Sequence, residues 1–184
     1  MASRITVRDC GRLSTRLSRL TRAGSAANIF RMVTASTLDS YLGRHIRDIC
    51  GNGYADDSDN HCAHFVSHAL GLRFGATCHM LGNGKAPGAN VRVQELFGRC
   101  SIVGTWESRA AYVSSCLAFI TNAANVNIGS RLMHNVPRKH MGVYAQGFVW
   151  HYSNAMREVV KQSPEAFGRH YPAPDNAMFY GTIA

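Results

Sequence analysis

Apolar positions recur at helical spacing in the first half of the chain and alternate with polar ones in the second half. Residues 4–22 read as an amphipathic helix. At 100° per residue, Arg4, Arg8, Arg12, Arg16, Arg19 and Arg22 fall within an arc of about 120° beside Leu13, Leu17 and Leu20, with Gly11 weakening the segment. A second helix is predicted over Leu38–Cys50, where Leu38, Tyr41, Leu42, Ile46 and Ile49 make one stripe, Thr37 or Ser36 caps it and Gly51-Asn52-Gly53 ends it. Asp56, Asp57 and Asp59 follow in an acidic loop. A third helix is predicted over Cys62–Leu70, capped by Asp59 or Asn60 and stopped by Gly71. Residues 71–90, rich in Gly, read as a long loop bordering a site, and Asn90 as the cap of a short helix over 91–97.

The second half changes period. Short strands are predicted at 130–134, 140–145, 148–153, 157–161 and 177–183, with a helix starting at Ser163-Pro164-Glu165, where Pro occupies the first helical position. Gln146-Gly147 read as a two-residue hairpin turn that pairs Ala145 with Phe148 and brings His140 and His151 to one face as diagonal neighbours. Helices followed by a strand meander define an α+β class, and the domain is expected over 37–184 behind a basic extension at 1–36.

Composition narrows the picture little. The 184 residues suit one domain with a short appendage, and no apolar run approaches the roughly 20 residues of a membrane-spanning helix. Charge is uneven. Of the net +9, residues 1–22 carry +5, from six Arg against one Asp. Such a face attracts anionic surfaces, through Arg4, Arg8, Arg12, Arg16 and Arg19. No aromatic-interleaved basic strand is present, so nucleic acid is not the expected partner, although a basic binding module without catalysis is the alternative class. Residues 1–24 hold no continuous apolar segment of the kind a secretory leader needs, so synthesis in the cytoplasm without a signal is expected.

The chemistry concentrates in two places. Cys62 opens a helix whose free N–H groups and dipole favour a thiolate, and the Cys62 N–H is a natural oxyanion donor, with Tyr54 and Asn60 as further candidate donors. His140 is placed to act as base toward that thiol, and His151 to orient its second ring nitrogen. If Cys62 is a nucleophile, five of the six Cys remain and cannot all pair, so reduced thiols are expected. His61, His64, His68, Cys62 and Cys78-His79 offer metal-ligating atoms, but Cys-X-His followed by Cys-His is not a standard zinc spacing, and no metal or cofactor is expected.

Three segments together resemble the NlpC-type peptidoglycan hydrolases, papain-like cysteine amidases related to the CHAP amidases. They are His61-Cys62-Ala63-His64-Phe65-Val66, Gly129-Ser130-Arg131-Leu132-Met133, and His140-Met141-Gly142-Val143-Tyr144 with His151. The resemblance implies a papain-like fold with the nucleophile at a helix start packed on a C-terminal antiparallel sheet. It implies Cys62 as nucleophile, His140 as general base and His151 as the orienting third member. The implied reaction is hydrolysis of a peptidoglycan stem-peptide amide through a thioester. Without a leader, such an enzyme would reach the cell wall by another route, as an antibacterial effector with an immunity-type inhibitor partner or as a lysis enzyme. The chain departs from the family pattern where His61 and Ser130 replace Asp and His64 replaces Gly. His64-Phe65-Val66 is also similar to the Cys-Glu-His-Phe-Val signature of the permuted lecithin–retinol acyltransferase group, which makes lipid acyl transfer or phospholipid hydrolysis the alternative activity. In that group the His hairpin precedes the Cys, whereas here it follows.

Overall fold

The computed structural model describes residues 33–183. The expected basic helix over 4–22, with Cys10, therefore lies outside the described residues.

Six strands form one sheet in which every pairing is antiparallel, and short helices pack on it, an α+β architecture. In chain order the elements are α1 (Ala35–Asp39), α2 (Cys62–Leu70), α3 (Cys78–Leu81), α4 (Val93–Arg99), β1 (Ile102–Thr105), β2 (Ser115–Asn122), β3 (Val126–Asn127), β4 (Leu132–Met133), β5 (His140–Ala145), β6 (Phe148–Ser153), β7 (Glu158–Gln162), α5 (Pro164–Gly168) and β8 (Asn176–Thr182). The sheet order is β1-β8-β2-β5-β6-β7, and β3 and β4 form a separate two-stranded ribbon.

Side-chain alternation gives the sheet two buried faces. Leu117, Phe119, Met141, Val143 and Trp150 join Phe65, Val66, Leu96 and Phe97 of α2 and α4 in the main core. On the opposite face Ala118, Ile120 and Val149 pack with Phe167 of α5. Burial on both faces explains why β2 is a continuous apolar run rather than an alternating one. That run, Cys116–Ile120, carries no period-2 signal, so neither it nor β1 is among the strands expected from the sequence.

α2 has the bounds its sequence predicts, and Gly71 closes it in the left-handed conformation at φ 67°. The hairpin also forms as expected. Ala145 pairs with Phe148, and Gln146 and Gly147 both take positive φ, 47° and 86°, as a type I′ turn requires. Pro164 starts α5, with the Ser163 side chain accepting from the Ala166 N–H.

Other boundaries are corrected. The helix expected over Leu38–Cys50 is divided into α1, capped by Thr34, and a 3-10 turn at Ile46–Asp48. Gly43, at φ 72°, breaks it. There the chain leaves the helix to pair with β7: the Gly43 N–H donates to the Val159 carbonyl at 3.0 Å, and the Val159 N–H to the Arg44 carbonyl at 3.1 Å. α1 also runs across the 36/37 boundary, and Val33 and Ala35 pack on the core. The strand expected at 130–134 shrinks to β4, because Arg131 sits at φ 54° in the turn that joins it to β3. The helix expected over 91–97 begins and ends two residues later. Among the described residues, no helix is long and apolar enough to cross a membrane.

Candidate active site

α2 lies against β5 and β6 in the main core, and its first residue reaches the N-terminal end of β5. Cys62 is fully buried, with the Met141 N–H placed where it favours the thiolate. His140 precedes Met141, and its side chain leaves the strand on the opposite face, against Phe167, whose ring centroid is 5.6 Å away. Thiol and imidazole therefore approach one end of β5 from its two sides.

The two hairpin histidines meet as the sequence predicts. His140 Nε2 lies 2.8 Å from His151 Nδ1, and His151 Nε2 lies 3.0 Å from Gln162 Oε1 on β7. This chain fixes the tautomers. The Gln162 oxygen accepts only, so His151 Nε2 carries a proton and, in a neutral ring, His151 Nδ1 is a lone pair. His140 Nε2 must then donate to it, which leaves His140 Nδ1 as the basic nitrogen. That atom is buried and has no hydrogen-bond partner among the described residues. The relay thus ends in a buried lone pair that the Cys62 sulfur does not reach with a hydrogen bond.

Gly142 makes the contact between the two rings possible. A Cβ there would lie 2.5 Å from Val149 Cγ1 and 2.7 Å from the Trp150 carbonyl oxygen. Its absence lets β6 close on β5. His170 stacks on His140 with ring centroids 3.8 Å apart and planes 11° from parallel, fixing the ring from a side the sequence did not indicate.

Burial dominates the electrostatics. Desolvation, with His151 and His170 beside it, holds His140 well below its ordinary value. Desolvation likewise holds His151 down to about 4, against the opposing hydrogen bond to Gln162. Both rings are neutral at physiological pH. The Cys62 thiol is pushed up to about 12 by burial, against the pull of the Met141 and Ala63 N–H groups. Desolvation thus outweighs the helix-terminus effect, and Cys62 rests as a thiol rather than the thiolate expected from its place in the helix.

Asn60 spans the entrance. Its Oδ1 accepts the Cys62 N–H at 3.0 Å, and its Nδ2 donates to the Lys139 carbonyl at 3.3 Å. The Tyr171 hydroxyl donates to the same carbonyl at 3.4 Å. Asn60 and Lys139 border an open cleft of about 280 Å³, and Tyr171 borders a second of about 270 Å³. Arg138 lines both. Asn60 thus occupies the candidate oxyanion N–H at rest, and an incoming acyl oxygen would displace it.

Tyr54 takes a different position. Its ring packs 5.3 Å from both His61 and His64, and burial raises its hydroxyl beyond the usual range. The structure brings His140 and His151 into contact and sets Asn60 on the Cys62 N–H, but the Cys62 sulfur makes no hydrogen bond to His140, and Tyr54 packs with the histidines of α2. Gln162 and His170 are site residues the sequence reading missed. The β6–β7 register sets Gln162 opposite Val149, and no local pattern announces that pairing. Cys50, Cys62, Cys78, Cys100 and Cys116 are free and buried.

Comparison of the chain with protein-family models, with curated proteins and with solved structures gives no match.

Proposed function

We propose that this chain is a papain-like cysteine hydrolase of the NlpC type, cleaving an amide bond in a peptidoglycan stem peptide through a Cys62 thioester. The observation that supports this reading is the Gln162–His151–His140 relay, which leaves at the start of β5 a buried nitrogen with no partner among the described residues. Substrate entry displaces Asn60. His140 Nδ1 takes the thiol proton as the sulfur attacks the carbonyl carbon, and the Cys62 N–H receives the developing oxyanion. His140 then passes that proton to the leaving amine, the C–N bond breaks and the thioester remains. Water attacks the thioester, His140 takes its proton and returns it to the departing sulfur, and the acid product leaves. His151 and Gln162 hold the His140 tautomer throughout and touch no reacting atom.

The resemblance of the Cys62 and His140 segments to wall hydrolases supplies the substrate class. Delivery to the wall as an effector or lysis enzyme, with an immunity-type inhibitor as partner, belongs to the same proposal. Incubating the protein and its Cys62→Ala variant with sacculi, followed by mass spectrometry of soluble fragments, tests it. Cys62-dependent release of stem-peptide fragments is expected. Absence of such release, or acylation of the Cys62 thiol from phospholipid vesicles instead, overturns it.

A further inference from the structure

Away from the Cys62 thiol, α2 takes part in a second cluster. His64 and His68 lie one turn apart on the helix, Cys50 comes from the segment after the 3-10 turn, and Cys78 opens α3. One donor atom from each of the four lies within 4.8 Å of the other three. Cys50, His64 and Cys78 are 4%, 0% and 0% exposed.

The distances fit a tetrahedral ion. With Zn–N near 2.0–2.1 Å and Zn–S near 2.3 Å, a tetrahedron places two nitrogens about 3.3 Å apart and a nitrogen and sulfur about 3.6 Å apart. Here His64 Nε2 and His68 Nε2 are separated by 3.2 Å, and His68 Nε2 and Cys78 Sγ by 3.7 Å.

The surrounding hydrogen bonds prepare the donors. His61 Nε2 lies 2.8 Å from the Asp56 carbonyl, which accepts only, so that nitrogen carries the proton. His61 Nδ1 is then an acceptor and takes the His64 Nδ1–H at 3.1 Å, which leaves His64 Nε2 as a lone pair aimed into the cluster. A histidine oriented through its other nitrogen is the usual support of a metal ligand. The sulfurs are equally served. Cys50 Sγ accepts from the Asn52 N–H at 3.4 Å, and Cys78 Sγ from Asn52 Nδ2 at 3.4 Å and from the Ala89 N–H at 3.2 Å. Three N–H donors on two buried sulfurs suit thiolates.

We propose that Cys50, His64, His68 and Cys78 form a structural zinc site that ties the segments around residues 50 and 78 to the helix bearing Cys62. Two thiolates and two neutral imidazoles favour zinc and cancel its charge, so the ion is buried without net charge. Binding releases two thiol protons to solvent and leaves the metal and sulfur oxidation states unchanged. All four positions are filled by protein, so the ion is structural. It clamps a stretch that otherwise has little regular structure: between α2 and α4 the chain forms the short α3 and one isolated bridge, Thr77–Asn90.

The test is metal analysis of the full chain purified without chelator, together with cobalt replacement. Roughly one zinc per chain is expected, and the cobalt form should show the visible bands of a tetrahedral ion with a near-ultraviolet sulfur-to-cobalt charge-transfer band. Cys50→Ser and Cys78→Ser should lose most of the metal and weaken that band. His79→Ala, at an exposed neighbour, should keep both. His61→Ala should weaken zinc binding about 10- to 100-fold. Cys62→Ala should retain the full complement, which separates this site from the proposed nucleophile. If the serine variants are insoluble, the cobalt spectrum of the unmodified chain and reversible loss of thermal stability on chelation decide. The proposal is overturned by less than a tenth of a zinc per chain with no charge-transfer band. It is equally overturned by a Cys50–Cys78 disulfide seen by mass, by serine variants that bind zinc as the unmodified chain does, or by metal lost with Cys62.

Discussion

Acid should unfold this protein through its neutral histidine pair, and the loss can be worked out from the structure. His140 and His151 are each 1% exposed. Burial holds His151 down to about 4 and His140 well below its ordinary 6.5. In the unfolded chain both take up protons as pH falls through about 6.5; in the folded chain His151 does not until pH approaches about 4, and His140 is held down by the same burial. The unfolded state therefore binds more protons throughout that window, and stability declines as pH falls. A histidine held neutral contributes a slope approaching about 1.4 kcal/mol per pH unit below pH 6, so His151 alone removes about 2 kcal/mol between pH 7 and pH 5, and His140, shifted the same way, adds to it. That is a large part of the 5–15 kcal/mol typical of a domain. His170, lowered by the same cause, adds in the same direction. Urea denaturation followed by tryptophan fluorescence at pH 7, 6 and 5 reads the slope directly, since Trp150 is fully buried. Replacing His151 with Gln should reduce the slope by about one proton's worth, about 1.4 kcal/mol per pH unit. A fall of less than about 1.5 kcal/mol between pH 7 and 5, or an unchanged slope in the variant, would refute the argument that both rings stay neutral.

Other predictions follow from single contacts. Gln162→Leu removes the acceptor that fixes the relay, so kcat against sacculi should fall about 10- to 100-fold, the value of one buried hydrogen bond, with little change in KM; unchanged kcat would detach Gln162 from the site. Gly142→Ala forces a Cβ against Val149 and the Trp150 carbonyl, and should cost about 1–3 kcal/mol in urea melts while separating the two histidines. Gly71→Ala places a side chain at φ 67°, which should lower stability by about 1 kcal/mol and read as a reduced Tm.

Elements with local punctuation were legible from the sequence. α2 has a Gly stop and the β5–β6 hairpin a Gln-Gly turn, so both match their expected bounds. The meeting of His140 with His151 followed from alternation alone. What failed to show depends on distant chain segments. β2 reads as an apolar run because its neighbours bury both sides, and the stripe from Leu38 to Ile49 has helical spacing although β7 draws the chain out of the helix at Gly43. Cys50 was not weighed with His64, His68 and Cys78, because the loop over 71–90 must fold back before the four atoms meet. In the structure Cys62 serves the β5 end instead, and His79 is exposed.

The pairing of Gly43 and Arg44 with Val159 has a consequence for how copies of this chain meet. An outer strand normally offers its unpaired N–H and carbonyl groups to any passing chain. At β7 the Val159 groups are already taken, which leaves Lys161 as the other outward-facing position and shortens the row open to a second molecule. Among the described residues the opposite edge, β1, has no such guard, and Ile102 on it is 56% exposed. For the described residues, strand-to-strand association is thus directed to the side of the sheet away from the histidine relay, and self-assembly there leaves the β5–β6 hairpin untouched.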